Sequence, residues 1–117
     1  WMANDSRIDL KKDVSWDETE GYIKEMNGKS FGGHSDWRIP SGQEALSLFD
    51  KNKLNKDFKG GDIHLDSVFS PGAGNTTWTS ETRGREAQII FYINGLPYWY
   101  EKDDKTLSHS VRLIRRD

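Results

Sequence analysis

The order of segments along the chain predicts an α+β fold: two N-terminal helices, a long loop region and a twisted antiparallel sheet. Three observations carry that prediction. Two Ser-x-x-Glu capping boxes, at Ser15/Glu18 and Ser41/Glu44, each open a stretch with apolar residues at helical spacing. Residues 59–75 are punctuated by Gly60-Gly61 and Pro71-Gly-Ala-Gly74, which are loop signals. Beyond Thr76 the apolar period changes to two, and Asn94-Gly95 marks a hairpin.

Each element has its own warrant. After Ser15, the residues Trp16, Thr19, Ile23 and Met26 share an arc of roughly 80° on a 3.6-residue wheel. Gly28 sits where a helix stops, so the spacing predicts a helix over 16–27. Pro40 disfavours helical geometry at Ile39 and sharpens the start of a second helix, 42–50, whose apolar face is Ala45, Leu46, Leu48 and Phe49. Thr76-Thr-Trp-Thr-Ser80 reads as a short strand, and Ala87 to Ile93 as a longer one. A type I′ turn at Asn94-Gly95 would set Phe91 opposite Tyr98 and Ile89 opposite Tyr100 on one face. Tyr92 would then oppose Pro97, and Ile90 would oppose Trp99, on the other. Glu101 to Lys105 is a charged turn, and Ser110 to Arg115 a closing strand with Val111 and Leu113 on one face.

The 117 residues suit one domain, 1–117, because two separate cores would be hard to fit in that length. Only 33% of the chain is hydrophobic, but 12% is aromatic with five Trp. Rings that each bury on the order of 150–250 Å² can build a core from few residues. A net charge of −2 supplies no global basic field for nucleic acid or anionic lipid. No run approaches the roughly 18 apolar residues that cross a bilayer. The absence of cysteine removes disulfides, thiolate metal sites and cysteine nucleophiles together. Starting at Trp1-Met2, the sequence reads as part of a longer protein.

Five separated motifs carry a resemblance over nearly the whole chain. They are Trp16 in the first helix, Gly33-His-Ser-Asp-Trp-Arg-Ile-Pro-Ser41 leading to Glu44, Trp78-Thr-Ser80, Ala87 to Phe91, and Val111-Arg-Leu-Ile-Arg115. In that order they resemble the bacterial Lcl C-terminal family, which is related to C-type-lectin-like folds. The resemblance implies a C-type-lectin-like domain at the end of a surface or secreted protein, hence an extracellular, cell-surface or periplasmic location. It also implies a non-enzymatic recognition module for carbohydrate or protein. The alternative is a structural or oligomerisation domain without a ligand of its own. The Glu-Pro-Asn, Gln-Pro-Asp and Trp-Asn-Asp signatures of calcium-dependent lectins are not present.

Candidate residues divide accordingly. Trp16, Asp36, Trp37, Arg38, Pro40, Ser41, Glu44 and Trp78 are read as scaffold: Trp37 as a core plug, Asp36 and Arg38 as partners of nearby backbone or of each other. The ligand-binding candidates are Tyr92 and Trp99 on one face of the ribbon, with Asn75, Asp62 and His64 from the long loop. Asp62, His64 and Asp66 alternate on an extended segment, so Asp62 and Asp66 are weak calcium candidates beside the plainer reading of a solvated loop. His34, His64 and His109 lack the short spacing of a zinc site, and no cofactor is expected. Lys51, Lys53, Lys56 and Lys59 could meet a polyanion, but Asp50 and Asp57 dilute their field. Catalysis has little support. There is no Gly-x-Ser-x-Gly elbow, and Gly72-Ala-Gly74 lacks the lysine of a phosphate loop.

Overall fold

The computed structural model describes residues 1–104 and 109–115. It is an α+β arrangement in which the N-terminal segment meets residues 111–113. Helix α1 (Ser6–Leu10) was not legible in the sequence pattern. Its five residues are too few to display a 3.6-residue period, and it exists because Asp5 caps it, accepting from Ile8 N at 3.1 Å. Helix α2 (Trp16–Gly28) has the predicted capping box and buries Thr19, Tyr22 and Met26. Helix α3 (Gly42–Leu46) also starts on its capping box but stops well short of the predicted residue 50. Past Leu46 the chain turns so that Leu48 and Phe49 can pack inward, leaving Leu46 44% exposed.

Among the described residues the strands form three small sheets. Strands β1 (Trp37–Arg38) and β7 (Ile114–Arg115) pair antiparallel, as do β2 (Asn55–Lys56) and β3 (Asp62–Ile63). The central sheet has β4 (Thr76–Arg83), β5 (Glu86–Phe91) and β6 (Pro97–Glu101) in that spatial order, all antiparallel. One face of this sheet, with Ala87 and Ile89, packs with Trp78 against Tyr22 and Met26 of α2. The other face brings Ile90 together with Ala45, Ile63, Leu65 and Tyr92.

The β5–β6 register differs from the predicted one by two residues: Ile89 faces Tyr98, Ile90 faces Pro97 and Gln88 faces Trp99. An even shift keeps each side chain on its predicted face, but the connection is longer than a two-residue turn. The cause is Tyr92, which leaves the strand and turns inward. Its O–H donates to Ala45 O at 2.8 Å and its N–H to Asn75 O at 2.8 Å. Gly95 (φ 71°) lies against Phe49, where a β-carbon would be 2.7 Å from the ring.

The predicted closing strand is a ladder only at Ile114–Arg115. Residues 109–113 instead thread between β4 and the N-terminal segment. Trp78 N donates to Ser110 O, Ser6 N to Val111 O and Met2 N to Leu113 O, at 2.9–3.0 Å. Both sides of the segment are therefore covered, and Ser110 and Arg112 are as buried as Val111 and Leu113. The polar side is satisfied in part: Arg112 Nη1 donates to Met2 O and Ala3 O, and Asp5 accepts from Gly74 N at 2.9 Å, while Arg112 Nη2 and the His109 ring nitrogens are buried without a hydrogen bond. Lys105, the end of the predicted charged turn, lies outside the described residues.

Candidate functional site

The site begins with an irregularity in β4. Trp78 pairs with Ile89 and Thr82 pairs with Ala87, so three residues of β4 (79–81) lie opposite Gln88 alone. Such bulges re-aim side chains. The displaced backbone finds other partners: Ser80 N donates to Pro40 O at 2.8 Å, Trp16 Nε1 to Thr79 O at 2.9 Å, and Glu81 N to Thr79 Oγ1 at 3.2 Å. As a result the Glu81 side chain turns toward α3, where its Oε2 accepts from Gly42 N at 3.1 Å. Gln88 lies beside it, with its side-chain oxygen 3.3 Å from the Thr79 hydroxyl.

Both side chains converge on one point. A β-carbon at Gly42 would stand 2.2 Å from Gln88 Oε1 and 3.1 Å from Glu81 Cγ. Glycine at the first position of α3 is what leaves room for the pair. Around it opens a groove of about 430 Å³, walled by Gln43 and Leu46 of α3, Thr82 of β4, Ile90 of β5, and Pro97 and Trp99 of β6. The Trp99 ring is partly exposed, and the Arg83 guanidinium lies 4.4 Å from its centroid. Arg83 is held there by Glu86, with Nε to Oε1 at 2.9 Å. The groove thus offers the Trp99 indole, one face of which the Arg83 guanidinium covers, an anchored carboxylate and an anchored amide. That set suits reversible recognition of a ligand carrying both apolar and hydroxyl surfaces.

Of the predicted ligand-binding residues, only Trp99 lines this groove. Tyr92 is corrected: it is 1% exposed and belongs to the core. Asn75 lends its backbone oxygen to Tyr92 N, pinning the hairpin. Asp62 is paired with Lys56, which holds its carboxyl below the usual carboxylate range. Asp66 accepts from Val68 N at 2.9 Å and lies 3.7 Å from Lys53. His64 Nδ1 is 3.1 Å from Lys53 O, and its ring meets Phe49 edge-on. Two of the four clustered lysines, Lys53 and Lys56, are therefore matched to loop carboxylates.

Trp37 is 7% exposed, with its indole N–H on Phe31 O and its backbone clamped by both side-chain ends of Asn27. Asp36 and Arg38 do not meet each other. Asp36 pairs with Arg115 at 3.2 Å, and Arg38 forms two bonds of 2.8 Å to Glu44. Glu44 also accepts from Ser41 N in the capping box, and with Arg38 this holds its carboxyl at about 2. Pro40 is buried and Trp78 fully so, its indole N–H reaching Val14 O at 2.9 Å.

Sequence reasoning missed Gly42, Glu81 and Gln88. The one available signal was a glycine directly after a strong helix cap, where a better helix former would be expected. Nothing local marks Glu81 or Gln88, because a bulge depends on strand pairing. The chain matches the Lcl C-terminal domain family over residues 1–115 and belongs to that family. No curated protein and no solved structure matches it.

Proposed function

We propose that this member of the Lcl C-terminal domain family is a non-enzymatic recognition module of a surface or secreted bacterial protein. In this reading it has a C-type-lectin-like architecture and binds carbohydrate in the groove beside Trp99. The observation that carries the proposal is the partly exposed Trp99 ring beside the Glu81/Gln88 pair, anchored over Gly42. Sugar rings have apolar C–H faces that stack on indole and hydroxyls that need donors and acceptors at the rim.

The test is a broad glycan array probed with and without calcium, followed by Trp99→Ala. Binding that Trp99→Ala abolishes without lowering thermal stability supports the site. An array on which nothing binds sinks it. The second reading is a structural or oligomerisation domain, favoured by the exposed apolar side chains of Ile93 and Leu96 at the β5–β6 turn, 49% and 50% exposed. A stable oligomer by sedimentation that binds no glycan would support it.

A further inference from the structure

We infer that the Glu81/Gln88 pair makes the groove selective for a neutral pyranose carrying two adjacent free hydroxyls, read directly and without a bridging cation. The inference rests on the groove being a carbohydrate site and adds the class of sugar and the groups that select it.

Hydrogen-bond polarity sets the ligand's class. One oxygen of Glu81 is committed to Gly42 N, which orients the carboxylate and leaves Oε1 as an acceptor. The side-chain oxygen of Gln88 packs on Gly42 and shares the Thr79 hydroxyl with the Gln88 backbone oxygen, at 3.3 and 3.2 Å, so the amide nitrogen is the end of that side chain left to donate. The carboxylate and the amide both border the groove, the first held by Gly42 N and the second by Thr79. Each sugar hydroxyl both donates and accepts. Two adjacent hydroxyls can give a proton to Glu81 and take one from Gln88, while the ring face rests on Trp99.

The charge of the ligand follows from the same residues. Glu81 would face a sulfate or uronate directly, and Glu86 stands across from Glu101 on the neighbouring strands. Arg83, the cation at Trp99, is already matched to Glu86. A divalent ion would need several oxygen ligands. Glu81 is the groove's single carboxylate, and among the described residues no three acidic or histidine side chains gather to hold a metal.

The experiment titrates the chain, in chelator, with methyl glycosides of glucose, galactose and mannose, with their monodeoxy analogues, and with a heparin oligosaccharide. Amide chemical shifts are followed. At least one neutral glycoside is expected to bind, and removal of either of two adjacent hydroxyls should weaken it about tenfold or more. Glu81→Gln keeps an acceptor for Gly42 N but presents a donor to the ligand. Gln88→Glu keeps an acceptor for Thr79 but presents an acceptor to the ligand. Each should weaken binding by about tenfold. The Glu81→Gln/Gln88→Glu double variant should recover part of the loss, since one donor and one acceptor again face the sugar.

A glycoside that needs Trp99 but tolerates every deoxygenation overturns the diol reading and leaves the carbohydrate site standing. Preference for the heparin oligosaccharide, or binding only when calcium replaces chelator, does the same. If no sugar shifts any groove amide, the carbohydrate reading falls and this inference with it.

Discussion

Gly74 and Ser110 approach so closely that a β-carbon on Gly74 would lie 2.1 Å from Ser110 Oγ. The same hydroxyl donates to Thr76 O at 2.7 Å, so the loop entering β4 is locked onto the C-terminal segment. Both partners are buried, and neither can retreat cheaply. Gly74→Ala is expected to cost about 1–3 kcal/mol, the usual range for overpacking. Urea unfolding checks it, and an unchanged midpoint would mean that the segment is looser than its contacts indicate.

Arg112 is 2% exposed, and its guanidinium lies 4.6 Å from the centre of the Phe69 ring. Burial pushes the nearby Asp5 carboxyl upward, and the charge of Arg112 opposes that shift. Removing Arg112 leaves the buried Asp5 with the Ile8 and Gly74 backbone N–H groups but without an opposing charge. Arg112→Met is therefore expected to cost about 3–5 kcal/mol. Asp5→Asn/Arg112→Met should cost clearly less than the sum of the single changes, and strict additivity in a double-mutant cycle would refute the coupling.

His109 is buried between the rings of Trp78 and Tyr100, with centroids 4.9 and 4.8 Å away. Burial holds its imidazole below the ordinary 6.5, and the charges of Asp104 and Asp13 pull the other way. The unfolded chain then binds the proton more readily than the folded one. Stability should be full above pH 6.5 and fall as the pH drops below that value. Denaturation at a series of pH values tests this, and His109→Phe should flatten the dependence in that window.

Glu44 behaves in the opposite sense. Arg38 and the Ser41 backbone hold its carboxyl at about 2, against an ordinary 4.5. Its contribution is present above pH 4.5 and is lost as the pH falls toward 2. The pair is partly exposed, so Arg38→Ala is expected to cost only about 1 kcal/mol or less. Glu44→Ala also removes the capping box and should cost more, about 1–2 kcal/mol. Equal effects of the two substitutions would deny the cap its share.

Gly42→Ala separates binding from stability. Alanine is the better helix former, by up to about 1 kcal/mol in a helix interior, and the atom it would meet first is the flexible end of Gln88. Melting temperature should hold or rise while sugar affinity at the groove drops several-fold. A stable variant with unchanged affinity would show that the Gln88 amide takes no part in binding.

Local chemistry determined where α2 and α3 begin, because Ser15/Glu18 and Ser41/Glu44 satisfy backbone donors within four residues of sequence. It also determined which side chains share a face of the β5–β6 ribbon, since alternation survives an even shift of register. Trp99 was legible as a candidate for the same reason. The length of α3, the inward turn of Tyr92 and the burial of Arg112 were not legible. Each depends on a partner far along the chain: Phe49 on Gly95, Tyr92 on Ala45, Arg112 on Met2 and Ala3. The groove belongs to this second class. Trp99 alone is only an aromatic residue on a strand. It becomes part of a site because a bulge in β4 turns Glu81 onto Gly42 beside Gln88, and strand pairing creates a bulge that no local stretch of sequence specifies.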